Sequence, residues 1–132
     1  MAGVSRNPKK FGRIAYEDLV KRGLHVYPVN PNLEEVSGTR CFHSVTELPE
    51  DTKSLIIMTR KDQTAAVVKE AITKGIPNIW IQQSSDTPEA LALLKDKDIN
   101  VIAKQCILMH YKPGGMHKFH RNLKRFFGGL PK

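Results

Sequence analysis

No acidic side chain follows Asp98: residues 99–132 carry 7 basic side chains and no acidic ones, against 14 basic and 13 acidic in residues 1–98. Nearly all of the formal +8 charge therefore sits in the carboxyl-terminal stretch. Cysteine is scarce. Cys41 and Cys106 lie far apart without a CxxC pair, which argues against a disulfide framework and fits a reducing compartment. Long apolar runs are missing too, and segments such as 54–58 are far too short to cross a bilayer, so no membrane partner is expected. The first ten residues lack the apolar stretch of about 7–15 residues that a secretory signal needs, and a soluble, cytoplasmic protein is expected.

With 132 residues, 40% of them hydrophobic and 26% charged, the chain has the size and make-up of one ordinary domain. Residues 1–110 are expected to form it, with 111–132 as a basic helical extension. A first helix is predicted over 13–23, starting near Phe11 and Gly12, with Glu17 and Asp18 early, Lys21 and Arg22 late and Gly23 as the stop. A strand over 24–29 follows, closed by Asn30-Pro31-Asn32. Residues 33–52 show no sustained period and are expected to be a long connection with one short helical turn. After them come a strand over 53–59, a helix over 63–75, a strand over 78–81, a helix over 87–97 opened by Thr87-Pro88-Glu89, and a strand over 100–103.

Strands separated by helices predict an α/β fold: a doubly wound, mostly parallel, Rossmann-like sheet with a basic amphipathic helix after it. Such a sheet normally begins with a strand before the first glycine-rich turn, and only residues 1–4 are available for it. The first strand is expected to be truncated, with flanking strands short of ladder bonds, and a native start upstream is the favoured explanation.

Gly3-Val4-Ser5-Arg6-Asn7-Pro8-Lys9-Lys10-Phe11-Gly12 joins this stub to the first helix. The loop combines a permissive backbone, a hydroxyl, turn formers and three cations. Free N–H groups at a helix start attract anions, glycine lets a phosphate approach them, and Arg6, Lys9 and Lys10 add full charges. The stretch matches neither GxGxxG nor GxxxxGK[ST], so a solvated basic turn is the alternative. Dinucleotide sites place a carboxylate at the end of the second strand for the ribose hydroxyls, but here Val29-Asn30-Pro31 stands there. Its absence suits coenzyme A or a phosphorylated dinucleotide better than NAD.

GVSRNPKKFG at the first turn, VYPVNPN after the second strand, the spacing to SLIIMTRKDQ and NIWIQQS, and the late cysteine of AKQCILMHY resemble the small CoA-binding Rossmann proteins. The chain is similar, over essentially its whole length, to the amino-terminal domain of the succinyl-CoA synthetase alpha subunit. The resemblance implies coenzyme A or an acyl-CoA lying across the carboxyl ends of the strands. Its phosphates would lie near Ser5 and the basic loop and its adenosine near Asn30 and Pro31, with Thr59, Lys61 and Gln82 lining the same crevice.

Cys106 follows the last strand. It reads as an inert buried thiol, or as a thiol near the sulfur end of bound CoA that forms a mixed disulfide on oxidation. Cys106 with His110, His117 and His120 offers sulfur and imidazole at no standard zinc spacing, and no metal site is assigned. Met116, Phe119, Leu123 and Phe126 recur at helical spacing among Lys118, Arg121, Lys124 and Arg125, which predicts an amphipathic basic helix over 115–127. Its apolar face would dock on the domain or on a second subunit in a homodimer, and its cations could meet nucleic acid. No nucleophile, base and orienting group stand at a telling spacing. The reading is a CoA-binding, nucleotide-binding module without evident catalysis. The alternatives are an NADP-type redox protein and a nucleic-acid-associated protein acting through the tail.

Overall fold

The computed structural model describes residues 1–110, the side chains of Met109 and His110 excepted. The basic extension expected at 111–132, with its helix and with His117 and His120, lies outside the described residues.

Among the described residues the helices are α1 (Phe11–Lys21), α2 (Lys61–Lys74), α3 (Pro88–Leu94) and α4 (Ile107–His110). The strands are β1 (Glu35–Val36), β2 (Thr39–Arg40), β3 (Ser54–Ile57), β4 (Asn78–Gln82) and β5 (Asn100–Gln105). β3, β4 and β5 form a parallel sheet in that order. The rest of the array hangs on single parallel bridges: Ala2 pairs with Ile57 on one side and Val29 on the other, and Val29 pairs with Phe42. From edge to edge the chain thus runs Phe42, Val29, Ala2, β3, β4, β5, the doubly wound order with the first segment at the centre.

The central first segment is paired on both sides. Ala2 donates to the Ile56 carbonyl at 2.8 Å and accepts from Met58 N at 2.9 Å, while the Met1 carbonyl accepts from Val29 N at 2.9 Å. Both neighbours are satisfied at the level of the turn. The segment expected as a strand over 24–29 is correspondingly reduced to its bridge at Val29, because the central stub offers only a few residues to pair with.

The alternation of β-strand side chains divides the core in two. Ile56, Trp80 and Ile102 face Ala15, Tyr16 and Leu19 of α1 and Ile107 of α4. Leu55, Ile57, Ile79 and Ile81 face Val68 and Ala71 of α2 and Ala90 and Leu94 of α3. Every residue of β4 is buried, as expected for a strand covered on both faces.

Local signals set the helix ends. Thr87 Oγ1 accepts from Ala90 N at 3.0 Å, with proline in the first turn of α3. Gly75, at φ 81°, ends α2 by donating to Ala71 and Ile72 carbonyls. α3 stops at Leu94, short of the expected Lys97, and Asp96 stands at φ 64° in the turn beyond.

The connection 33–52 holds more order than its sequence suggested. β1 and β2 make a small hairpin around Ser37 (φ 50°) and Gly38 (φ 81°), the two positive values that a tight hairpin turn takes. Phe42 then supplies the outer bridge of the sheet, and a 3-10 turn spans Val45–Glu47.

Candidate functional site

Gly3 leaves the central stub at φ 91°, and a Cβ there would lie 2.5 Å from the Met58 carbonyl group and 2.8 Å from Thr59 N. A Cβ on Gly12 would collide with the Gly3 carbonyl oxygen. These two glycines let the first turn of α1 cross directly over the end of the central segment. Lys10 is the N-cap and gives the helix no side-chain cap, so its opening amides face the strand ends uncapped.

The intervening loop is braced internally. Asn7 N donates to Ser5 Oγ at 3.0 Å, Lys9 N to Asn7 Oδ1 at 2.9 Å and Lys10 N to the Asn7 carbonyl at 3.0 Å. Arg13 braces it from below. Its guanidinium donates to the Arg6 carbonyl at 3.1 Å, to Glu17 Oε1 at 3.0 Å and to Ser37 Oγ at 3.1 Å. Hydrogen bonds from Arg13 and then Ser37 hold the Glu17 carboxyl below the usual glutamate range. One arginine thus fastens the loop to the hairpin turn and leaves Arg6, Lys9 and Lys10 exposed. On the neighbouring segment Asn30 Nδ2 donates to the Val4 carbonyl at 2.8 Å, and its Oδ1 accepts from Asn32 N at 2.8 Å.

Two openings flank this corner. A wide one of about 900 Å³ is lined by Ser5, Arg6, Asn7 and Pro8 with Asn30, Asn32 and Leu33. The second, about 480 Å³, runs along the carboxyl ends of the strands past Gly3, Ser5, Lys10, Phe11, Gly12 and Asn30 to Met58, Thr59, Arg60 and Gln63, and ends at Gln82, Gln83, Ser84 and Ser85. Ser5 and Asn30 belong to both, so the openings adjoin. A cavity at the amino ends of the strands, lined by Met1, Leu24, Tyr27 and Leu48 among others, holds only about 80 Å³, too little for a nucleotide.

The far wall of the second opening is a hydroxyl network. Thr64, fully buried, has one hydrogen, and its shortest acceptor is the Ser85 carbonyl at 2.7 Å. Thr59 must then be the donor in the 2.8 Å Thr59–Thr64 contact, which leaves the Thr59 oxygen to act as an acceptor. The loop beyond β4 is tied in this way to the first turn of α2, with Ser84 at φ 75°.

Of the residues expected from sequence, Gly3, Ser5, Arg6, Asn7, Pro8, Lys10, Phe11, Gly12, Asn30, Thr59 and Gln82 converge on the two openings. Lys9, Pro31, Lys61 and Cys106 line neither: Lys9, Pro31 and Lys61 are exposed, and Cys106 stands half-buried just past β5. Sequence reasoning passed over Arg60, Gln63 and the run Gln83-Ser84-Ser85, although position after a parallel strand was itself a signal. It also passed over Arg13, which carried only its spacing of four from Glu17.

Burial pushes the Cys41 thiol up, whereas Cys106 is more accessible. Iodoacetamide at neutral pH is therefore expected to modify Cys106 first, with Cys41 slower by about tenfold or more. Intact mass against time checks this, and equal rates would contradict the burial assigned to Cys41.

The family model described as "CoA binding domain" matches residues 1–112. The chain is 27% identical over 107 residues to the uncharacterized protein YneT of Bacillus subtilis, covering 81% of this chain and 79% of that one. It is 26% identical over 136 aligned positions to the ADP-forming acetate–CoA ligase II subunit alpha of Pyrococcus furiosus, covering 95% of this chain but only 28% of the subunit. A solved structure of a conserved hypothetical protein from Pyrococcus furiosus superposes with a TM-score of 0.80 at 33% identity, covering 83% of this chain and 95% of that one.

Proposed function

Because this chain belongs to the CoA binding domain family, we propose that it binds coenzyme A or a CoA thioester across the carboxyl ends of its strands, as a binding module without catalysis of its own. The phosphates sit against the Ser5–Gly12 loop and the opening amides of α1, with Arg6 and Lys10 supplying charge at contact and Lys9 and Lys61 at longer range. Adenosine takes the wide opening beside Asn30 and Pro31, and the pantetheine arm runs along the narrower one toward Thr59 and Gln82. The expected place of Cys106, near the thiol end, follows from its position beyond β5, next to β4. The cytoplasm, where CoA is plentiful and thiols stay reduced, suits such a protein.

The observation that carries this reading is the Gly3–Gly12 crossing. Two positions where any Cβ would strike backbone bring a cation-bearing, uncapped helix start onto the strand ends. No carboxylate directly follows the Val29 bridge, where Asn30 turns its amide onto the Val4 carbonyl. The ligase relative supports CoA as the ligand, but since this chain spans only 28% of that subunit, ligase chemistry is not assigned to it. The nucleic-acid reading has no observation in its favour among the described residues, and since the Asn30 position would suit NADP as well, the family match is what favours CoA over it.

Thermal unfolding with CoA, acetyl-CoA, NAD, NADP and a structured RNA tests the proposal. CoA or acetyl-CoA at about 100 times its Kd stabilises the fold by roughly 2.7 kcal/mol through mass action, and the other compounds do not. A shift with NADP or RNA but not with CoA would overturn it.

A further inference from the structure

One buried polar group in the crevice has no partner. Gln82 closes β4 and is only 2% exposed. Its Oε1 accepts from Trp80 Nε1 at 3.2 Å and from Ile107 N at 3.0 Å. Two donors converging on one atom fix the orientation of the amide, since the reverse would set NH₂ against two N–H groups. Nε2 is thereby turned away from both, and it has no hydrogen-bond partner. Buried donors are almost always satisfied, so such an orphan on a crevice wall calls for an acceptor from outside the chain.

The surrounding backbone is shaped to hold this group. β5 slips register opposite Ile81 and Gln82, with Lys104 at φ 64° as the extra residue. That bulge sets Gln105 beside Gln82 and turns the chain so that Ile107 N reaches the side-chain oxygen.

We propose that Gln82 is the specificity-determining residue of the crevice: its Nε2 donates to a carbonyl oxygen on the uncharged arm of the ligand, selecting nucleotides that carry an amide or thioester chain over those that end at phosphate. The proposal rests on the CoA reading and adds to it the group that reads the arm. An N–H donor is neutral, so it suits an amide or thioester oxygen; Arg6, Lys9 and Lys10 stand on the loop, and Arg60 is the further cation lining this opening. Thr59, on the same opening, has an oxygen left to accept, which matches the N–H half of an amide.

The test compares CoA with adenosine 3′-phosphate 5′-diphosphate, which keeps all three phosphates of CoA and lacks the arm, on the wild type and on Gln82→Glu. The variant keeps an acceptor for Trp80 and Ile107 and replaces the orphan NH₂ with oxygen; it is measured at pH 8, above the ordinary carboxylate range. The wild type is expected to bind CoA about tenfold or more tightly than this armless nucleotide, and Gln82→Glu to abolish that advantage while leaving the Kd of the armless nucleotide unchanged. Trp80 is the single tryptophan and touches Gln82 directly, so its emission should change with CoA and not with the armless nucleotide. Retention of the advantage in the variant, or an equal loss for both ligands, overturns the proposal. Should the variant not fold, wild-type Trp80 emission that stays the same at saturating CoA overturns it instead. Wild-type protein that binds neither compound defeats the CoA reading itself, a result distinct from binding both equally, which defeats only the role of Gln82.

Discussion

Gly12→Ala is expected to lower the unfolding free energy by roughly 3 kcal/mol, measured by urea denaturation without ligand. The added methyl would land on the Gly3 carbonyl oxygen, and that carbonyl cannot retreat, because Gly3 N donates to the Val29 carbonyl and the adjacent Ala2 is bonded on both sides. Gly3→Ala should cost as much, since its methyl meets the Met58 carbonyl group and its φ of 91° is strained for any side chain. Gly23→Ala separates the two causes: φ is 96° but nothing lies within 4 Å, so only the conformational penalty of roughly 1 kcal/mol should appear. Equal losses at Gly12 and Gly23 would mean that α1 does not cross as closely as described. The same contact brings the helix amides to the strand ends, so stability and the proposed anion site share one cause.

That contact also marks where sequence reasoning reached its limit. Gly3 and Gly12 were legible as permissive points in a basic loop, but their pairing depends on the angle at which α1 returns over the sheet, which no local pattern encodes. The strand–helix alternation was legible because β3 and β4 are buried on both faces and read as apolar runs. The outer bridge at Phe42 was not, since one paired residue leaves no period to detect. Ser37-Gly38 did carry a readable turn signal, weakened by strands of only two residues on either side. Among site residues, Ser5, Thr59 and Gln82 could be placed by position at strand ends. Arg13 could not, because its bonds run to backbone carbonyls and to a turn 24 residues away. The orphaned amide of Gln82 depends on Ile107, 25 residues further on, and on a bulge at a lysine that sequence gives no reason to expect.

Removing the cations of the loop should produce the largest change in binding. Arg6→Ala combined with Lys10→Ala is expected to weaken CoA about 10- to 100-fold, measured by calorimetry, since charge-assisted hydrogen bonds to phosphate contribute roughly 1.5–3 kcal/mol each and part of this is screened at an open site. The apo protein should melt as before, because both side chains are exposed and neither ends a buried network. Ionic strength gives an independent handle: from about 0.01 to 0.15 M the screening length falls from about 30 to about 8 Å, so wild-type affinity should drop while the double variant changes little. Acetyl-CoA should lose the same factor as CoA, because the proposed course of the arm carries the acyl group away from residues 6–10. Dephospho-CoA distinguishes the phosphates: a smaller loss than for CoA on mutation assigns Arg6 to the 3′-phosphate beside the wide opening, and an equal loss assigns both cations to the diphosphate at the helix start. An unchanged Kd for CoA in the double variant would move the anion away from this corner and leave the uncapped start of α1 without the role given to it.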